Sequence, residues 1–167
     1  KIILTKPRSF LTSEQLSSIH PYYDKSFRKL TNMAVIETMR GCPYNCKFCV
    51  VNTIWGRKLR FMSPKRVAEH IEYLVKKYKI DSLEFIDESF TISKERVYDI
   101  FNLLREKKIK ILFGCQTRVN LVDENLLKFM KKNGCLQVDF GIESGTNKML
   151  KIMNKQIEVK DIVNAGN

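Results

Sequence analysis

The stretch Leu83-Glu84-Phe85-Ile86-Asp87-Glu88-Ser89-Phe90-Thr91-Ile92-Ser93-Lys94 decides the reading of the chain. Residues 83–86 form a short, mostly apolar run, the length of a buried strand rather than a helix. Ser93 is a helix-capping residue type. Beyond it Val97, Ile100, Phe101 and Leu104 recur at helical spacing on one face. The segment therefore predicts a strand, a turn carrying the two carboxylates Asp87 and Glu88, and an amphipathic helix.

The same grammar recurs on both sides. Upstream, residues 34–36 are apolar and lead through a cysteine-rich loop to a helix over 64–79. Ser63 would cap that helix, Pro64 would take its first position, and Val67, Ile71, Leu74, Val75 and Tyr78 form its apolar stripe. Downstream, residues 109–113 read as a third strand, followed by a helix that Asp123 begins and Gly134 stops. Residues 136–140 read as a fourth strand, leading through Gly141 to a helix bearing Met149, Leu150 and Met153, and then to another over 158–165.

Strands alternating with helices predict βαβ units on a parallel sheet, and right-handed crossovers lay the strands in order 1-2-3-4. An open Rossmann-like sheet and an arc of a (β/α) barrel both fit this α/β pattern. The chemistry-bearing segments, including Cys115 to Arg118 and Glu143-Ser144, all fall after strand C-termini, where barrel enzymes build their sites. The arc is the favoured architecture. Its two unpaired edges are a feature that soluble proteins avoid. With no initiator Met, and an end soon after a helix begins, the chain reads as a piece of a longer protein. Residues 33–167 would be the N-terminal part of the core domain. Residues 1–32, with Pro7 and Pro21 among polar side chains and no clear period, read as a linker or lead-in from an upstream domain.

Composition bounds the class. Of 167 residues, 44% are apolar and 29% charged, the balance of one globular domain. No apolar run approaches the ~18–20 residues of a membrane span, and nothing resembles an export signal. The net charge of +12 fits a lysine-rich solvated surface better than a nucleic-acid footprint. Its densest cluster, Arg57, Lys58, Arg60, Lys65 and Arg66, lies just after the cysteines. Five cysteines without an export signal point to thiol chemistry in a reducing, cytoplasmic setting.

Three of those cysteines fall in Gly41-Cys42-Pro43-Tyr44-Asn45-Cys46-Lys47-Phe48-Cys49 with the spacing C-x3-C-x2-C. A four-iron cluster takes about four thiolates when every iron is held by cysteine. Three from one loop would leave one iron open, as a catalytic centre requires. The alternative is zinc with a fourth ligand from Cys115, Cys135 or His70, although zinc loops usually carry a second C-x2-C pair. Cys115 otherwise reads as a small buried apolar residue and Cys135 as core. His20 and His70 read as surface histidines.

The loop, with Phe48 before its third cysteine, resembles the signature of radical S-adenosylmethionine (SAM) enzymes. The segments Phe85 to Thr91, Arg118-Val119 and Gly141-Ile142-Glu143-Ser144-Gly145 resemble the branch that often carries an N-terminal cobalamin-binding domain. This resemblance runs from about residue 33 to the end. It implies a partial (β/α)6 barrel with four units in this chain, and a [4Fe–4S] cluster on Cys42, Cys46 and Cys49 that cleaves SAM to a 5′-deoxyadenosyl radical. It also implies cofactor contacts from Phe48, from Asp87 or Glu88 to the ammonium group, and from Glu143 and Ser144 to the ribose. Arg118 would meet the cofactor carboxylate or a substrate anion. Cobalamin would come through a domain outside this chain. Implied partners are a reductant protein such as flavodoxin or ferredoxin and a small-molecule substrate undergoing hydrogen abstraction, methylation or rearrangement. A tRNA-modifying, methylthiotransferase-like enzyme is the second reading, and a zinc or electron-carrier module the third.

Overall fold

The computed structural model describes residues 9–19 and 32–166. Thr12 opens the first helix, α1 (Ser13–Ser18). Its hydroxyl accepts from the Gln15 N–H while the Gln15 side chain accepts from the Thr12 N–H. β1 (Met33–Ile36) and β2 (Met39–Arg40) lead into the cysteine loop, which holds the short helix α2 (Val51–Ile54) and is closed by β3 (Arg60–Phe61). Then come α3 (Pro64–Tyr78), β4 (Ser82–Phe85), α4 (Lys94–Glu106), β5 (Leu112–Thr117), α5 (Glu124–Lys132), β6 (Cys135–Phe140), α6 (Asn147–Ile152) and α7 (Val159–Gly166).

β1, β4, β5 and β6 form one parallel sheet in that order, with Ile36 opposite Phe85 and Phe85 opposite Cys115. These are the four predicted strands, in chain order. Alternation sorts their side chains between two faces. Ala34, Ile36, Leu83, Phe85, Phe113 and Cys115 are buried in the main core, while Val35, Ile86 and Leu112 are exposed. Four phenylalanines centre that core: Phe85 stacks on Phe90 at 4.2 Å and Phe101 on Phe113 at 4.5 Å. The helices begin where their caps predict. Ser63, Ser93 and Asp123 each accept from a backbone N–H in the first turn of α3, α4 and α5.

Two expectations need correction. The third strand is displaced: Lys108 turns left-handed (φ 56°) after α4, the Ile109 N–H returns to the Leu104 carbonyl, and pairing starts only at Leu112. Cys115 therefore lies within β5, on its buried face, and not after it. The lead-in is also not simply irregular. Helix α1 buries Leu16, and its residues brace the β3 strand: Ser13 Oγ accepts from Phe61 N–H, and Ser17 Oγ accepts from Ser63 N–H. Pro7, Pro21 and His20 lie outside the described residues.

β2 and β3 pair antiparallel, Met39 opposite Phe61 and Arg40 opposite Arg60. The ladder closes the neck of the cysteine loop. Sequence periodicity gave no hint of it because each strand is two residues long. Two members of the basic cluster are spent on this neighbourhood, and a third on the first turns of α3. Arg57 donates to the Pro43 carbonyl and Arg66 pairs with Glu69. Arg60 is buried, donating to the Leu11 and Trp55 carbonyls with its guanidinium over Phe10. No helix among the described residues is long and apolar enough to cross a membrane.

Candidate metal centre and cofactor cavity

The cysteine loop begins at Gly41, whose φ of +94° and crowded position exclude other residues: a Cβ there would meet the Lys58 carbonyl oxygen at 2.2 Å. Cys42 N–H donates to the Gly56 carbonyl, folding the loop back on itself. Cys46 is buried, Cys42 partly so, and Cys49 exposed. Burial pushes the Cys42 thiol up, and the Arg118 charge works against this.

The loop is also stitched to the turn after α6. Lys47 N–H donates to the Met153 carbonyl at 2.9 Å, and the Asn154 side-chain amide donates to the Asn45 carbonyl at 2.8 Å. Asn154 and Gln156 are both left-handed, at φ 53° and 57°. Arg118, after β5, completes the seam. It is 5% exposed, its Cζ lies 3.7 Å over the Tyr44 ring, Nη1 is 3.6 Å from Cys46 Sγ, and Nη2 donates to the Lys155 carbonyl.

All three cysteines line one cavity of about 370 Å³, within the range of small-molecule sites. Phe48, 51% exposed, lies at its edge. Glu88, Arg118 and Glu143 line it from the C-terminal ends of β4, β5 and β6. Glu143 holds a left-handed backbone (φ 66°), a conformation that non-glycine residues adopt at a cost and that clusters at functional sites. Its Oε1 is 3.1 Å from Lys155 Nζ, and the Lys155 side chain is 7% exposed. Lys155 Nζ also lies 5.7 Å from the centre of the Phe48 ring.

The two adjacent acids part company. Asp87 is fully buried and turned toward β2: it accepts from Thr38 N–H (2.5 Å), Thr38 Oγ1 (2.5 Å) and Met39 N–H (3.0 Å). Arg96 closes this network by donating to the Thr38 carbonyl and hydroxyl. Of the two candidate acids, Asp87 is thus enclosed by protein and does not line the cavity. Glu88 lines the cavity instead, and its Oε2 is buried without a hydrogen-bond partner among the described residues. Burial raises its carboxyl to about 6. Ser144 is not part of the lining either; it accepts from Thr146 N–H and organises the start of α6.

Lys155 was not foreseen in the sequence, since it sits in a turn without period or motif. Gln116, Thr117 and Asp139 also line the cavity. None of the three residues considered as a fourth zinc ligand, Cys115, Cys135 and His70, lines this cavity. The Cys115 thiol, hydrogen-bonded to that of Cys135 and buried in the core, is pushed up toward the protonated form. His70 is not a surface histidine: it is buried on α3, hydrogen-bonds the Ile19 backbone, and is pushed down to about 4 by burial.

Comparison with known proteins gives these features a family. The Radical SAM superfamily model matches residues 36–167. The chain belongs to the radical SAM superfamily. Among its relatives is an uncharacterized methyltransferase of Pyrococcus horikoshii, 37% identical over 131 residues, covering 78% of this chain and 28% of the relative. Another is the anaerobic magnesium-protoporphyrin IX monomethyl ester cyclase of Rubrivivax gelatinosus, 32% identical over 130 residues, covering 77% of this chain and 23% of that one. The solved structure of the cobalamin-dependent SAM radical enzyme OxsB shares the fold, with a TM-score of 0.67 at 22% identity over 78% of this chain and 21% of that chain. The chain thus spans about a quarter of the length of the relatives it matches.

A four-iron cluster and SAM fit the residues present. A cubane spreads its thiolates over separate irons, so it does not need the convergence that one ion demands. Among the described residues no three His, Cys, Asp or Glu side chains are arranged to hold a single metal ion. The unpartnered Glu88 Oε2 needs a donor, and the buried, unpartnered Arg118 Nε needs an acceptor.

Proposed function

We propose that Cys42, Cys46 and Cys49 hold a [4Fe–4S] cluster with one iron open to the cavity, and that SAM binds there with its amino group against Glu88 and its ribose against Glu143. The observation that carries this is one cavity lined by three thiols and by carboxylates from the ends of β4 and β6, on either side of β5. When bound, the cluster supplies the electron that splits SAM into methionine and a 5′-deoxyadenosyl radical.

The chain's own residues bind, orient and exclude water. Glu88 accepts from the amino group, a charge-assisted bond worth about 1.5–3 kcal/mol. Glu143, held left-handed and paired with Lys155, presents a carboxylate able to accept from two adjacent ribose hydroxyls. Phe48 offers a ring face at the cavity edge. The Tyr44–Arg118–Lys155 seam fixes the loop so that little reorganisation accompanies binding.

Residues 33–167 form four units of a six-unit barrel in this reading. The methyltransferase and cyclase relatives support a cobalamin-associated branch whose substrate is a small molecule, methylated or otherwise altered after hydrogen abstraction. Cobalamin would enter through a domain outside this chain, and electrons through a flavodoxin- or ferredoxin-type protein. Anaerobic reconstitution with iron and sulfide, followed by chromatography of SAM products under strong reductant, tests the reading. About four irons per chain and release of 5′-deoxyadenosine are expected. Stoichiometric zinc, with no cluster uptake, would sink it.

A further inference from the structure

We propose that Arg118 sets the reduction potential of the iron–sulfur centre, as a fixed, buried hydrogen-bond donor to the thiolate of Cys46. The inference rests on the three-cysteine reading above and goes beyond it, because it assigns Arg118 to the cluster and not to SAM.

The geometry leaves Arg118 little freedom. It is 5% exposed, and all three of its fixed contacts belong to the cysteine loop or to the turn that grips it. Nη1 approaches Cys46 Sγ at 3.6 Å, a hydrogen-bond distance for sulfur. The guanidinium lies flat on Tyr44, 3.7 Å from the ring centre, and Tyr44 sits midway between Cys42 and Cys46. Nη2 is taken by the Lys155 carbonyl, in the turn that also accepts Lys47 N–H and donates to Asn45. Each outer nitrogen spends one N–H on these contacts, which fixes the plane of the guanidinium against the loop. Only Nε is left without a partner.

A guanidinium cannot lose its proton in a protein, so this is a permanent positive charge. Held against a cluster ligand away from water, it is weakly screened. Reduction adds one negative charge to the centre, and a neighbouring cation with an N–H aimed at sulfur stabilises the reduced form more than the oxidised one. Hydrogen bonds to the sulfurs and local charge are among the known determinants of such potentials. Arg118 therefore makes the centre easier to reduce.

The test uses the full chain, reconstituted anaerobically with iron and sulfide and titrated by redox-poised electron paramagnetic resonance without SAM. For Arg118→Gln, the ratio of reduced to oxidised cluster at the wild-type midpoint should fall at least about tenfold, a shift of ~59 mV for one electron. Arg118→Lys, which keeps the charge but loses the planar stack, should fall between the two. If Arg118→Gln fails to hold a cluster, Tyr44→Leu serves instead: it frees the guanidinium and should lower the ratio in the same direction. An unchanged midpoint in Arg118→Gln or Arg118→Lys, or in Tyr44→Leu where that variant stands in, would overturn the proposal, most plainly if SAM affinity fell at the same time. A wild-type chain that takes up no iron would instead overturn the cluster reading on which this rests.

Discussion

Replacing Asp87 tests the division of labour between two neighbouring acids. Its carboxylate accepts three hydrogen bonds from Thr38 and Met39, at zero exposure, and faces the buried Arg96 through Thr38. Asp87→Ala orphans two backbone N–H groups, each costing about 1–3 kcal/mol. It also takes the nearby carboxylate charge away from the buried guanidinium of Arg96, which keeps its hydrogen bonds to Thr38; removing a buried counter-charge costs up to about 3–5 kcal/mol in total. These terms overlap, so the net loss should be about 3–5 kcal/mol, against a total stability of roughly 5–15 kcal/mol for a domain. At this chain length that lowers the melting temperature by roughly 6–20 °C. Asp87→Asn keeps an acceptor for the two N–H groups and should lose less. Thermal unfolding of the apo chain reads the loss, and SAM titration of the reconstituted variants below their melting points reads the site. A stable Asp87→Ala that binds SAM poorly would refute the scaffold role and return Asp87 to the cavity.

Cys42→Ala, Cys46→Ala and Cys49→Ala should each abolish stable cluster absorbance, whereas Cys115→Ala and Cys135→Ala should retain it; loss in Cys115→Ala alone would mean that the open-iron assignment is wrong. Glu88 is held near 6 by burial, and its ionised form is the better acceptor. SAM affinity should therefore drop as pH falls from 7 to 5, approaching about tenfold per unit below pH 6, and Glu88→Gln should be weaker but flat across that range. An equally steep profile in the variant would place the titrating group elsewhere. His70 carries a linkage that an ordinary exposed imidazole lacks: the unfolded chain protonates near 6.5 and the folded one near 4. Its contribution to stability is thus full above pH 6.5 and lost as pH falls toward and through 4. The wild-type urea midpoint should decline more than that of His70→Leu over this window, and parallel declines would show that His70 carries no linkage.

Much of the scaffold was legible because it rests on local rules. Ser63-Pro64, Ser93 and Asp123 announce helix starts, and the short apolar runs between them can only be buried strands of a parallel sheet. The misplaced third strand shows the limit of that logic. Ile109 and Ile111 look like strand residues, but Ile109 is still tied to the end of α4 and Ile111 fills the core ahead of the first ladder bond. The three thiols were plain from spacing alone. Which acid faces the cavity was not, since Asp87 and Glu88 are adjacent and only the long-range bonds to Thr38 and Met39 turn one away. Lys155 was invisible for the same reason. It reaches the site through a turn whose partners lie about a hundred residues earlier, as in the bond from Asn154 to Asn45.

In the proposed centre one iron is not held by cysteine, and this open iron receives SAM in the cavity. Electron–nuclear double resonance on the reduced, reconstituted chain tests it directly, using SAM labelled with 15N at the amino group and 17O at the carboxylate. Resolved hyperfine coupling from both labels is expected, as direct ligation to the open iron requires, and the amino signal should change in Glu88→Gln. Absence of coupling from either label at saturating SAM, with an intact four-iron signal, would contradict it.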